Sequence, residues 1–107
     1  MKSRPVIPRE VANRDVEDAI DYYLTEAGEQ AALCFVDALE RAYTRLSHQP
    51  AGGSPRYSYE LNIPELRCSA LSGYPYLIFY IERTDHVDVW RVLHGQRDIP
   101  NLIEAPE

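Results

Sequence analysis

Lysine is nearly missing from this chain. Lys2 is the only one, and the other ten of its eleven basic side chains are arginines. Seventeen carboxylates outnumber them, giving a formal net charge of −6. The deficit is spread evenly: nine acids against six bases in residues 1–50, then eight against five in 51–107, so each half carries −3. A free-standing nucleic-acid binder needs a cationic face to displace phosphate counterions. Direct nucleic-acid binding is therefore not expected, although a local arginine cluster remains open.

Cysteine is scarce too. Cys34 and Cys68 lie far apart, with no Cys or His at metal-ligand spacing. That argues against a zinc site and fits buried thiols in a reducing compartment, with a disulfide between the two left open. No apolar run reaches the roughly 18–20 residues of a membrane span, and Met1-Lys2-Ser3-Arg4-Pro5 leads into no signal-peptide core. The expectation is a soluble, cytoplasmic protein without membrane, metal or cofactor. A glycine-rich phosphate loop, a serine nucleophile elbow and a close Cys/His pair are also missing, so the common enzyme classes gain no support.

What is present suits one domain over 1–107, with 45% hydrophobic residues to build a modest core. A domain of this size buries only about two-thirds of its unfolded surface, so it stands to gain stability from a partner. Residues 4–8 are bracketed by prolines and read as a short extended edge segment. Asn13 is a suitable N-cap, with Asp15, Glu17 and Asp18 on the favourable side of the helix dipole. Val16, Ala19, Ile20, Tyr23, Leu24 and Ala27 then mark one helical face, ended by Gly28.

A second helix is expected over 29–48, with its stripe at Ala32, Phe35, Leu39, Ala42 and Leu46. The Gln49–Pro55 stretch stops it. The period then changes. Residues 66–71, 76–83 and 86–94 read as strands, joined by turns at Ser72-Gly73-Tyr74-Pro75 and Thr84-Asp85. Residues 76–81 are apolar on both faces, as in a strand covered on both sides. Trp90 and Tyr80 read as core aromatics, with an interface anchor left open for Trp90. Residues 56–63 alternate through Tyr57, Tyr59, Leu61 and Ile63, leaving a strand extension and a loop open. The class is α+β: a short N-terminal strand, an antiparallel helical hairpin, then a three-stranded antiparallel meander.

Three segments carry a resemblance. Arg91-Val92-Leu93-His94-Gly95-Gln96-Arg97-Asp98-Ile99-Pro100 resembles the closing RVLHG-x-RDI-P element of ParE-like toxins, within the wider RelE/ParE toxin superfamily. Pro64-Glu65-Leu66-Arg67 resembles that family's P-x-LR lead into the sheet, and Tyr74–Tyr80 its YPYLIFY strand. The resemblance implies the toxin of a bacterial type II toxin–antitoxin system, neutralised by a ParD-like antitoxin and acting on DNA gyrase by binding. His94, Arg97 and Asp98 are then the candidates for contact with the target. Arg97 and Asp98 can equally anchor the tail by ion pairing.

The second helix carries more apolar surface than one buried face needs. Leu33, Val36 and Tyr43 form a further stripe. Either the sheet curls around it, or it receives an antitoxin segment in helix-in-groove fashion, together with Tyr22 on the first helix.

Two other readings stand beside the binder. A RelE-like, ribosome-dependent mRNA endonuclease needs a base, an acid and cations around the phosphate. Arg67, Arg91 and His94 would have to supply them, with Arg67 and Arg91 sharing a face of the sheet. Lysine is absent from the sheet half, and Gly95 follows His94 where many nuclease relatives carry Tyr, which speaks against that chemistry. In the structural alternative His94 is a hydrogen-bonded residue at a strand end, and Arg67 and Arg91 pair with Asp88, Glu82 or another acid. A non-toxic binding adaptor on the same scaffold is the third reading.

Overall fold

A computed structural model of the chain describes residues 3–96, together with Ile99 and Ile103. Strand β1 (Val6–Pro8) runs straight into helix α1 (Glu10–Glu26), followed by α2 (Glu29–His48). After one 3₁₀ turn at Pro50–Gly52 come a short helix α3 (Arg56–Glu60) and strands β2 (Leu66–Ala70), β3 (Tyr76–Glu82) and β4 (Val87–His94). The sheet order is β1-β4-β3-β2. The last three strands form the expected antiparallel meander, and β1 adds to its edge in parallel with β4.

The junction of β1 and α1 corrects the expected start of the first helix. Arg9 stays extended (φ −71°, ψ 160°) and its N–H donates to the Val89 carbonyl at 2.9 Å, continuing the parallel ladder. Its own carbonyl then accepts the Asn13 N–H at 3.0 Å as the first helical bond. Strand pairing thus sets the start at Glu10, and Asn13 lies inside the helix rather than capping it. Ala12 and Ala19 are buried along α1, with Val16, Ile20 and Tyr23 packed beside them, whereas Leu24 turns outward.

Helix α2 matches its expected bounds, and all five residues of its main stripe are buried. Gly28 joins the helices at φ +96°, a left-handed conformation that favours glycine. Phe35, Ala38, Leu39, Ala42 and Leu46 face the sheet, where Ile78, Tyr80, Val87, Val89 and Val92 complete the first core. Fully burying each large apolar side chain contributes about 1.5–3 kcal/mol.

The opposite face of the sheet carries a second core of Leu66, Cys68, Phe79, Ile81, Trp90 and Leu93. Tyr57, Ile63, Ile99 and Ile103 cover it, so both faces of β3 are occupied. Residues 56–60 are therefore helix, neither of the conformations expected for them. Tyr57 and Leu61 are four residues apart, which satisfies a helical face as well as alternation. Pro55 precedes the helix, and the Ser58 hydroxyl donates to the Pro55 carbonyl at 2.7 Å. Tyr57 meets Phe79 edge to face at 5.2 Å, while Tyr59 is 94% exposed.

Gly53 is dictated by a close approach. A Cβ there would collide with the ring and hydroxyl of Tyr80, whose O–H donates to the Pro50 carbonyl at 2.6 Å. That contact pins the loop after α2 to β3. Both cysteines are unbridged: Cys34 is exposed on α2 and Cys68 is buried in β2.

Candidate functional site

Helix α1 is held on the sheet by a carboxylate clamp. Asp15 accepts Arg91 Nε at 2.7 Å and Arg91 Nη2 at 2.8 Å, and it also accepts the Val92 backbone N–H at 3.0 Å. The two side chains are only 10% and 18% exposed. The bond from Asp15 raises the Arg91 pKa further, against the opposing pull of burial. The sheet register slips beside this point, between Phe79 and Tyr80, where β4 carries an extra residue.

A second clamp closes the other end of β4. Asp88, 7% exposed, accepts Arg9 at 3.0 and 2.9 Å, Arg83 at 3.3 and 3.0 Å, and the Trp90 indole N–H at 3.1 Å. The Arg9 guanidinium also sits 4.2 Å from the centre of the Trp90 ring. Burial pushes the Asp88 carboxyl up, but hydrogen bonds from Arg9, Arg83 and Trp90 and the Arg9 charge outweigh it, and its pKa is lowered. Arg4 pairs with Glu82.

The two arginines that a nuclease would use are each engaged within the fold. Arg67 donates to the carbonyls of Ala51 and Gly53 at 3.2 and 2.9 Å, whereas Arg91 is held by Asp15. The two arginines stand on β2 and β4, with β3 between them, roughly 10 Å apart by strand spacing. Both lie on the helix-bearing side of the sheet: Arg67 pairs in register with Tyr80 of the first core, and Arg91 reaches Asp15 of α1. Arg91 thus pairs with another acid, as left open, while Asp88 and Glu82 go to Arg9, Arg83 and Arg4. His94 ends β4, where its Nδ1 accepts the Gln96 N–H at 3.1 Å and its ring meets Tyr76 at 5.4 Å. Arg97 and Asp98 lie outside the described residues. Among the described residues no group of His, Cys, Asp and Glu is arranged to hold a metal, and no helix is long and apolar enough to cross a membrane.

What remains open is the outer side of the helix pair. Tyr22 is 57% exposed and Leu33 55% exposed. Val36 is half-buried, and Tyr43 packs against the first core. The second stripe of α2 is thus split between core and surface. The Tyr43 hydroxyl is buried without a hydrogen-bond partner among the described residues, and burial, with Asp15 nearby, pushes its pKa up to about 12. Beside Tyr22 the chain forms a groove of about 380 Å³ lined by Tyr22, Tyr23, Pro75, Tyr76 and His94. Tyr23 links it to the core through Phe35 at 5.3 Å and Tyr74 at 5.6 Å. Tyr22 was visible in the sequence as part of this surface; Tyr76 and the groove it forms were not.

This scaffold, a helix pair on a sheet whose first and last strands run parallel, is shared with a chain titled "Chromosomal ParDE TA system from P. aeruginosa". The TM-score is 0.72 over 86% of this chain and 96% of that one, at 18% identity, a likeness that shows the fold. No curated protein sequence matches significantly. The family described as ParE toxin of type II toxin-antitoxin system, parDE, matches residues 6–99. The chain belongs to that family and is a ParE-type toxin of a type II toxin–antitoxin system.

Proposed function

We propose that this toxin acts by binding DNA gyrase, without catalytic residues of its own, and that a ParD-like antitoxin neutralises it. The observation that carries the non-enzymatic part is the disposition of Arg67, Arg91 and His94. Arg67 is bonded to loop carbonyls and lies outside the hollow that Arg91 and His94 line, and Arg91 there is committed to Asp15. A ribonuclease acting through the 2′-hydroxyl needs those groups converged. Gyrase as the target, and ParD as the kind of antitoxin, rest on family membership. Target contact is assigned to the chain's end, from His94 through Arg97 and Asp98. Antitoxin contact is assigned to the outer helical surface with Tyr22, Leu33, Val36 and Tyr43. A soluble, cytoplasmic setting follows from the same family reading.

The test is the purified toxin in two parallel assays, gyrase supercoiling and ribosome-dependent mRNA cleavage. Inhibited supercoiling with intact mRNA is expected. Cleavage that disappears in His94→Ala would establish the nuclease instead.

A further inference from the structure

We infer that the groove between Tyr22 and Tyr76 receives an arginine or lysine side chain of the antitoxin, lying along the tyrosine rings with its charge against Asp18. The inference rests on the reading that an antitoxin binds this chain.

Three observations converge on it. First, the groove is walled by aromatic rings: Tyr22 stands edge-on to Tyr23 at 5.4 Å, Tyr23 lies 6.4 Å from Tyr76, and Tyr76 meets His94 at 5.4 Å. Tyrosine faces attract a cation, and the apolar stem of Arg or Lys packs along such rings while its head stays polar. Second, the groove continues into a hollow of about 250 Å³ that shares Tyr22, Tyr76 and His94 and adds Asp15, Asp18 and Arg91. Asp15 is already engaged by Arg91 and the Val92 amide. Asp18 is exposed and has no ion-pair or hydrogen-bond partner among the described residues.

Third, the surrounding charge is predominantly negative. Helix α1 holds six carboxylates and one arginine, a net −5 within a chain of net −6. Such a field steers a basic segment toward this helix and opposes an acidic one. A purely apolar occupant would strip water from Asp18 and give nothing in return. The chemistry therefore favours a cationic side chain with an apolar stem.

The test measures the affinity of the protein encoded by the adjacent antitoxin reading frame for the full chain and for Tyr22→Ala, Asp18→Asn and Glu17→Gln, at low and high salt. Tyr22 and Asp18 are exposed, and circular dichroism checks that the variants stay folded. Tyr22→Ala is expected to weaken binding about 3- to 30-fold. Asp18→Asn is expected to weaken it several-fold at low salt and to flatten its salt dependence. Glu17→Gln, which removes an equal charge outside the groove, is expected to stay within about twofold. Equal losses for Glu17→Gln and Asp18→Asn would mean a general charge effect and overturn the inference. So would a response to Tyr22→Ala without one to Asp18→Asn, which marks an apolar anchor. Unchanged affinity in both groove variants, with the original chain still binding, overturns this inference alone. An antitoxin that fails to bind the original chain overturns the reading beneath it as well.

Discussion

Asp15 of α1 and Arg91 of β4 are 76 residues apart in sequence and share two hydrogen bonds of 2.7 and 2.8 Å, with the Val92 amide completing the Asp15 carboxylate. The pair fixes how the first helix lies on the sheet, and so positions Tyr22 above Tyr76 and His94. It also commits the Arg91 guanidinium to a carboxylate.

Removing one member should therefore cost stability. Asp15→Asn keeps the shape and removes the Asp15 charge from beside a largely buried guanidinium, which predicts a loss of about 2–3 kcal/mol after allowance for its partial exposure. Arg91→Lys should recover little of the function of the fork, because an ammonium cannot make the paired contact. Urea unfolding measures both, and a loss below about 0.5 kcal/mol for Asp15→Asn would show that the clamp is not structural.

Asp88 predicts the acid limb of stability. Its folded pKa lies below the ordinary aspartate value, so its contribution is present above the unfolded pKa of about 3.9 and is lost as pH falls through the folded one. Asp88→Asn should be less stable than the original chain at pH 7, and the gap should narrow as pH drops below about 4. Urea midpoints across that range decide it. A gap that stays constant with pH would contradict the account.

Tyr43 predicts the opposite limb. Its folded pKa is raised to about 12, so its neutral form is favoured by folding; the contribution is complete below the unfolded value near 10 and fades as pH climbs toward about 12. Because the hydroxyl has no partner among the described residues, Tyr43→Phe should equal or exceed the original stability by about 1 kcal/mol at pH 7. It should also remove part of the alkaline loss. A clear destabilisation at neutral pH would reveal a hydrogen bond to that oxygen.

Leu33 separates folding from recognition. It is more than half exposed, so Leu33→Asp should change stability by less than about 0.5 kcal/mol while weakening antitoxin binding tenfold or more. Val36 is half-buried, and Val36→Asp should lose both. Thermal melts beside affinity measurements test the pair; equal losses in the two properties for Leu33→Asp would remove it from the interface.

The legible parts of this molecule are those where one period dominates. Helix α2 and strand β3 were fixed by a stripe at Ala32, Phe35, Leu39, Ala42 and Leu46 and by the run from Tyr76 to Ile81, and the turns at Gly73 and Asp85 are local chemistry. The start of α1 was misplaced because Asn13 is a good local cap, while the parallel pairing of Arg9 with Val89 is a long-range event. Tyr57 and Leu61 fit two periods at once, and the surface they cover decides between them. The candidate site suffered most. Tyr22 reads as part of an outer helical face, but the groove needs Tyr76 and His94 brought to it from the sheet. The partners of Asp15 and Asp88 lie 76 and 79 residues away for Arg91 and Arg9, where no sequence pattern points.

The most direct measurement is gyrase supercoiling titrated first with the toxin and then with the antitoxin from the adjacent reading frame. The account predicts inhibition that deepens with toxin, leaves ribosome-bound mRNA intact, and is relieved as antitoxin approaches one equivalent per toxin. Supercoiling that is untouched by excess folded toxin would contradict it.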